Sequence, residues 1–153
     1  MNAYLPISIE FGAEVVRRLL PLLPADALDT RLDPERFTPR EVIAHLADWE
    51  PIMRERIVTA LQTPGASLTA FDEGQMAVDH NYAGTDPAEQ VEIFVRERKL
   101  TAELIRSVRG ADWDKTVVHP ERGPQSVADL GNLLLGHDLY HIEQLTEHLG
   151  FPG

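Results

Sequence analysis

Apolar residues recur every three or four positions in four separate stretches of this 153-residue chain, and no stretch shows a sustained alternation of period two. That pattern commits the chain to helices packed on helices. The first stretch, residues 7–20, puts Ile7, Phe11, Val15, Leu19 and Leu22 on one side and is closed by Pro21 and Pro24. The second starts at Thr38-Pro39-Arg40-Glu41, a capping hydroxyl followed by proline at the first helical position and glutamate at the third. Its face runs through Val42, His45, Leu46, Trp49, Ile52, Met53, Ile57 and Leu61 and stops before Pro64-Gly65, with Pro51 expected to bend it. The third begins at Asp86-Pro87-Ala88-Glu89, read as a second capping box, and reaches Gly110 along Val91, Phe94, Val95, Arg98, Ala102, Ile105 and Val108. The fourth opens at Ser126 with Asp129 three residues on, and ends at Gly150 before Pro152.

Between the second and third helices, residues 64–84 read as a long crossing connection with a short helix around 72–79, and residues 111–124 read as loop. The expected fold is therefore all-α, a four-helix bundle with a long crossover between helices 2 and 3, in one domain spanning residues 1–153. Such bundles build their sites from side chains on facing helices.

Composition removes several function classes. The formal charge of −11, from 25 acidic against 14 basic residues, repels nucleic acid, so no nucleic-acid partner is expected. No apolar run approaches the 18 or so residues that span a bilayer, so no membrane partner is expected either. Met1-Asn2-Ala3-Tyr4 does not resemble the start of a signal peptide, which makes the cytoplasm the expected location. Cys is absent, so any metal site must do without thiolates.

The histidines carry the chemistry. His137 and His141 are four apart on the fourth helix, about 40° around its axis and ~6 Å along it, a spacing that lets two imidazoles meet one ion. His45 lies on the apolar stripe of the second helix, between Val42 and Trp49. Each can be a core histidine satisfied by one hydrogen bond. Three neutral imidazoles in one core share a better solution in a common metal ion. His148, about 10 Å further along the axis than His141, belongs to the helix end, and His80 and His119 fall in connections.

Around these ligands, Asp48 has two readings: a general base or supporting carboxylate in the same cavity, or a helix-surface acid paired with Arg54 or with a neighbouring helix. Arg98, on the apolar stripe of the third helix, either clamps an anionic substrate group or buries a salt bridge with an acid such as Asp48. Asp138 is expected to face another helix, and Tyr140 to turn away from His141. Trp49 and Trp113 read as core or lid aromatics. Gly131 and Gly136 mark close helix approach or room for a ligand beside His137.

Taken with Phe94-Val95-Arg96-Glu97-Arg98, Ala111-Asp112-Trp113 and His119-Pro120-Glu121-Arg122-Gly123, the segments from Glu41 to Glu50 and from Gly136 to Leu145 resemble the DinB-like superfamily over residues 7–149. The resemblance implies a four-helix bundle with a long crossover, a metal held at His45, His137 and His141, and frequent pairing as homodimers. Better-characterised relatives in that superfamily include thiol-dependent transferases and isomerases that use bacillithiol or mycothiol, with zinc as a common ion. The expected cofactor is one divalent transition metal, zinc or nickel first and iron or manganese next. Two enzyme readings follow, a metal-dependent hydrolase or a thiol-dependent transferase acting on a small molecule, with a low-molecular-weight thiol as candidate co-substrate. The alternative is a non-catalytic, stress-related metal-binding protein or dimeric scaffold.

Overall fold

Five α-helices and one β-hairpin make up residues 3–150, the part of the chain described by a computed structural model. The helices are α1 (Leu5–Leu19), α2 (Pro39–Gln62), the short α3 (Glu73–Asp79), α4 (Pro87–Ser107) and α5 (Val127–Thr146). The four long ones form the bundle, and α3 lies in the crossover between α2 and α4. Both α1 and α2 pack between α4 and α5, so the first two helices of the chain stand on a diagonal of the bundle. No helix among the described residues is long and apolar enough to cross a membrane.

Local chemistry explains most of the helix starts. Thr38 accepts from the Glu41 amide while the Glu41 carboxylate accepts from the Thr38 amide, and Ser126 and Asp129 form the same reciprocal box at α5. At α4 only half of the expected box forms: Asp86 accepts from the Ala88 amide, and no reciprocal bond from Glu89 closes it. That helix also stops at Ser107 rather than Gly110, because Val108 turns extended and Gly110, at φ +49°, opens a 3-10 turn that buries Trp113. The Asp72 cap of α3 matches the short helix read at 72–79. Helix α2 continues through Pro51, which is exposed. Pro152 lies outside the described residues.

Two expectations are overturned. In α1 the inward face is Leu5, Ile9, Gly12, Ala13 and Val16, while Ile7, Phe11 and Leu22 are exposed. Close approach decides this: a Cβ at Gly12 would run into the Asp138 carboxylate on α5, so only a small-residue face can lie there. The Gly131 reading holds in the same sense, since a Cβ there would come within 2.8 Å of Leu5 Cδ2. The second correction concerns residues 111–124. Thr116–His119 (β1) and Gly123–Ser126 (β2) pair as an antiparallel hairpin, with Gly123 at φ +74° after its turn. The β-branched run Thr116-Val117-Val118 is the signal for it. The crossover lays a further extended stretch on β1, through Val118 N–H to Ala66 O (2.9 Å) and Leu68 N–H to Val118 O (2.8 Å).

Apolar burial falls into two clusters, one around Ile57, Ile105, Leu130 and Leu134, the other around Val42, Leu46, Phe94 and Leu145. Between them in sequence on three helices sit Arg98 (α4), Glu50 (α2) and Asp138 (α5), all buried. The Arg98 guanidinium donates to both Asp138 oxygens, to Glu50 Oε2 at 2.8 Å and to the carbonyl of Ile9 on α1 at 2.7 Å. One side chain thus bonds to the other three helices. Removing one partner from a buried ionic group leaves the others uncompensated, so Arg98→Met should cost about 3–5 kcal/mol in urea unfolding. A loss below ~1 kcal/mol, with an unchanged denaturant slope, would show that this cluster does not hold the bundle.

Candidate metal centre

His45 projects from α2, and His137 and His141 project from α5 one turn apart. One nitrogen from each ring lies within 4.8 Å of those of the other two, and His45 Nε2 is 3.0 Å from His137 Nε2. That shorter separation is what two imidazoles have when each binds one ion at ~2.1 Å and roughly a right angle. His45 and His141 are buried and His137 is partly so, so the helical spacing and the apolar stripe do bring together the three residues singled out from the sequence.

The walls are aromatic. Phe37, Trp49 and Tyr82 each place a ring centroid within 6.3 Å of that of His45, and Trp49 stacks on it at 26°. Such surroundings disfavour imidazolium. Burial, followed by the charge of His141, drives His45 to about 3, with Asp48 pulling the other way. His137 falls to about 2 through burial and then through His141, His45, Arg98 and Arg122. Burial brings His141 to about 4 against an opposing hydrogen bond from Gln144. All three are neutral at pH 7 and carry lone pairs, the state a metal ligand requires.

Further groups position the rings. His141 Nδ1 meets Gln144 Oε1 at 3.1 Å, and the Gln144 amide donates to the carbonyl of Phe37 at 2.7 Å. This puts the His141 proton on Nδ1 and frees Nε2. His45 Nδ1 is buried without a hydrogen-bond partner, so this ring's orientation rests on its aromatic neighbours and on what Nε2 meets. Imidazole nitrogens with open space beside them suit a transition ion with free coordination positions. The residues present fit such a group.

The remaining sequence candidates divide. Asp48 accepts from the Tyr82 hydroxyl at 2.6 Å and lies 2.6 Å from His80 Nδ1, while Arg54 bonds Glu97 instead. Its charge reaches His45 but its carboxylate is engaged at the crossover. Arg98 is the buried salt bridge rather than the substrate clamp, and its acids are Glu50 and Asp138, not Asp48. Asp138 faces another helix as expected. Tyr140 departs from expectation: its ring lies 5.1 Å from that of His141, with the Arg36 guanidinium 4.8 Å above its face. Long side chains at the rim fold over the neighbouring turn, which backbone angle alone does not convey. Gly136 has open space where a Cβ would stand, so it marks no close contact.

Glu73, the first residue of α3, was not singled out from the sequence and comes within 4.0 Å of His45 Nε2. Burial raises its pKa, while Arg122 and Arg56 hold it back. Together with Arg36, Phe37, Tyr140, His137 and His141 it lines a cavity of about 290 Å³.

The model of the DinB superfamily matches residues 8–145. A relative from Oceanobacillus iheyensis, named a "putative metal-dependent hydrolase", is 26% identical over 122 residues, covering 79% of this chain and 70% of that protein. The solved structure of YfiT from Bacillus subtilis, described as "a probable metal-dependent hydrolase with an unusual four-helix bundle topology", is similar with a TM-score of 0.88. The match has 19% identity and covers 94% of this chain and 83% of that one.

The depressed imidazoles give a pH dependence. In the unfolded chain each protonates near its ordinary 6.5, whereas in the fold it stays neutral down to about 4 or lower. The unfolded state therefore binds more protons, and metal-free protein should lose stability as pH falls from 6.5 to 4, by up to ~4 kcal/mol per pH unit for three groups. Urea midpoints across that range measure it. His137→Ala should flatten the slope by about a third; an unchanged slope would mean that His137 is not held neutral by the fold.

Proposed function

The chain belongs to the DinB superfamily, and from that premise we propose that it is a metal-dependent hydrolase of a small molecule, with one divalent transition ion held by His45, His137 and His141. The observation that carries this reading is the convergence of three neutral imidazoles from two helices, two of them, His137 and His141, lining a cavity that also holds the Glu73 carboxylate. Zinc or nickel suits the ligands best, and iron or manganese is compatible with them. Such an ion supplies Lewis-acid activation of a carbonyl or of water.

The chain's own residues do the rest. Glu73 takes the proton from the attacking water. Its raised pKa brings it towards the range in which a general base works near neutrality. Gln144 keeps the His141 proton on Nδ1 and so keeps Nε2 a donor to the ion. Tyr140 and Arg36 cover the entrance and bind polar parts of the substrate. Hydrolysis is preferred over thiol transfer because a base inside the site serves water attack, whereas a thiolate bound at the ion needs none. The names of the Oceanobacillus and Bacillus proteins lean the same way.

The test is elemental analysis of protein purified without a metal-affinity tag, alongside His137→Ala and Glu73→Gln. Wild type should hold about one equivalent of a transition metal, lost in His137→Ala. Glu73→Gln should keep the metal and lose roughly 10²–10⁴ in kcat across a panel of small esters and amides. Wild type that takes up no metal on titration sinks the proposal. A melting temperature that collapses on chelation, with no hydrolysis, would instead favour a structural ion in a non-catalytic scaffold.

A further inference from the structure

Most arginines of this acidic chain have a carboxylate partner, Arg31, Arg40, Arg54, Arg98 and Arg106 among them. Two near the candidate centre do not. Arg56 is 3% exposed, yet its polar contacts are only the sulfur of Met53 at 3.7 Å and the carbonyl of Thr69 at 3.4 Å, with Trp49 and Phe71 beside its guanidinium. A buried guanidinium without an acid is costly, and 25 acidic residues were available to supply one. Arg122 stands at the tip of the hairpin, and its guanidinium has neither hydrogen bond nor ion pair among the described residues.

The fold fixes where Arg122 stands. His119, buried in β1, accepts the backbone amides of Glu121 and Arg122 on Nδ1 at 3.2 and 3.4 Å, which ties the turn to the bundle. The side chain then lines a second cavity, with Trp49, Met53, Leu133 and Leu134 as apolar walls and Glu73 and His137 as its border with the first. Arg56 and Arg122 sense each other's charge, and both act on Glu73. The lobe itself is lined by one guanidinium, that of the exposed Arg122, and one carboxylate, that of Glu73. Arg56 acts from behind, and Asp72 and Glu121 are also felt in this corner. Neither guanidinium is held in an ion pair among the described residues, so both are free to meet an anion. At about 40 Å³ the lobe has room for roughly three water-sized groups, which is the size of a carboxylate.

We infer that this lobe is an anion subsite, in which Arg122, backed by Arg56, binds the carboxylate of a small substrate whose reacting group sits at the three histidines. The inference rests on the metal-centre reading for the position of that reacting group. It makes Arg122 a specificity-determining residue and the substrate class short carboxylates.

Zinc-loaded wild type and Arg122→Gln, titrated calorimetrically with 3-mercaptopropionate and with its neutral amide, test it. The thiol reports the ion in both ligands, and only the carboxylate reports Arg122. Wild type should prefer the carboxylate by about tenfold, as one charge-assisted pair gives. In Arg122→Gln the ratio should fall to about one while the amide binds as before. A ratio near one in wild type, or the same preference in the variant, overturns the inference. If neither protein takes up zinc or binds the amide, the metal reading fails separately. Propionate titrated into metal-free protein then decides the subsite through the indole resonance of Trp49. A saturable shift present in wild type and absent in Arg122→Gln supports it, and no shift overturns it.

Discussion

Arg98 is the point through which the four long helices are fixed to one another. From α4 its guanidinium bonds Glu50 on α2, Asp138 on α5 and the Ile9 carbonyl on α1, all away from solvent. This sets rotation as well as proximity. With Asp138 aimed at Arg98, His137 is turned about 100° away around α5, and His141, one turn on from His137, follows it. With Glu50 aimed at the same group, Trp49 and His45 face the other side of α2. The ionic cluster and the histidine cluster are two readouts of one set of helix azimuths. A substitution that relaxes the first moves the second.

An ionic group at the centre of a bundle is rarely the most stable filling, and an apolar replacement of equal volume is often as good. What it supplies here is direction. Burial of apolar surface is non-directional, so either apolar cluster alone specifies helix rotation less sharply than directional hydrogen bonds do. A guanidinium with two carboxylates and a carbonyl does not. Gly12 belongs to the same constraint: its missing Cβ is the space that the Asp138 carboxylate occupies.

Features written within one helix could be read from the sequence. The capping boxes at Thr38 and Ser126, the buried stripe from Val91 to Val108 and the four-residue spacing of His137 and His141 each depend on residues close in the chain. Features that depend on a distant partner were not legible. Both faces of α1 carry apolar residues at helical spacing, and the choice between them is made by Asp138, more than a hundred positions away. Arg98 stood out as a charge on an apolar stripe, but its acids could not be named: Glu50 looks like a surface position, and Asp138, although expected to face another helix, has no identifiable partner until the helices are assembled. Glu73 had no signal of its own: it is one of three acids in the crossover, with Asp72 and Asp79, and is brought to His45 only by the path between α2 and α4.

That division has a chemical consequence. The three imidazoles sit on rigid helices whose rotation is locked, so the place where an ion can be held changes little as surface segments vary. The groups that line the cavities beside them come from elsewhere: Glu73 from the crossover, Arg122 from the hairpin, and Arg36 and Phe37 from the segment before α2. Connections tolerate insertion and substitution better than packed helices do, and active-site diversity commonly resides in them. In this bundle the helices determine where an ion stands. The crossover and the hairpin supply the cavity walls beside it, and the His119 imidazole that pins the hairpin turn ties those walls back to the core.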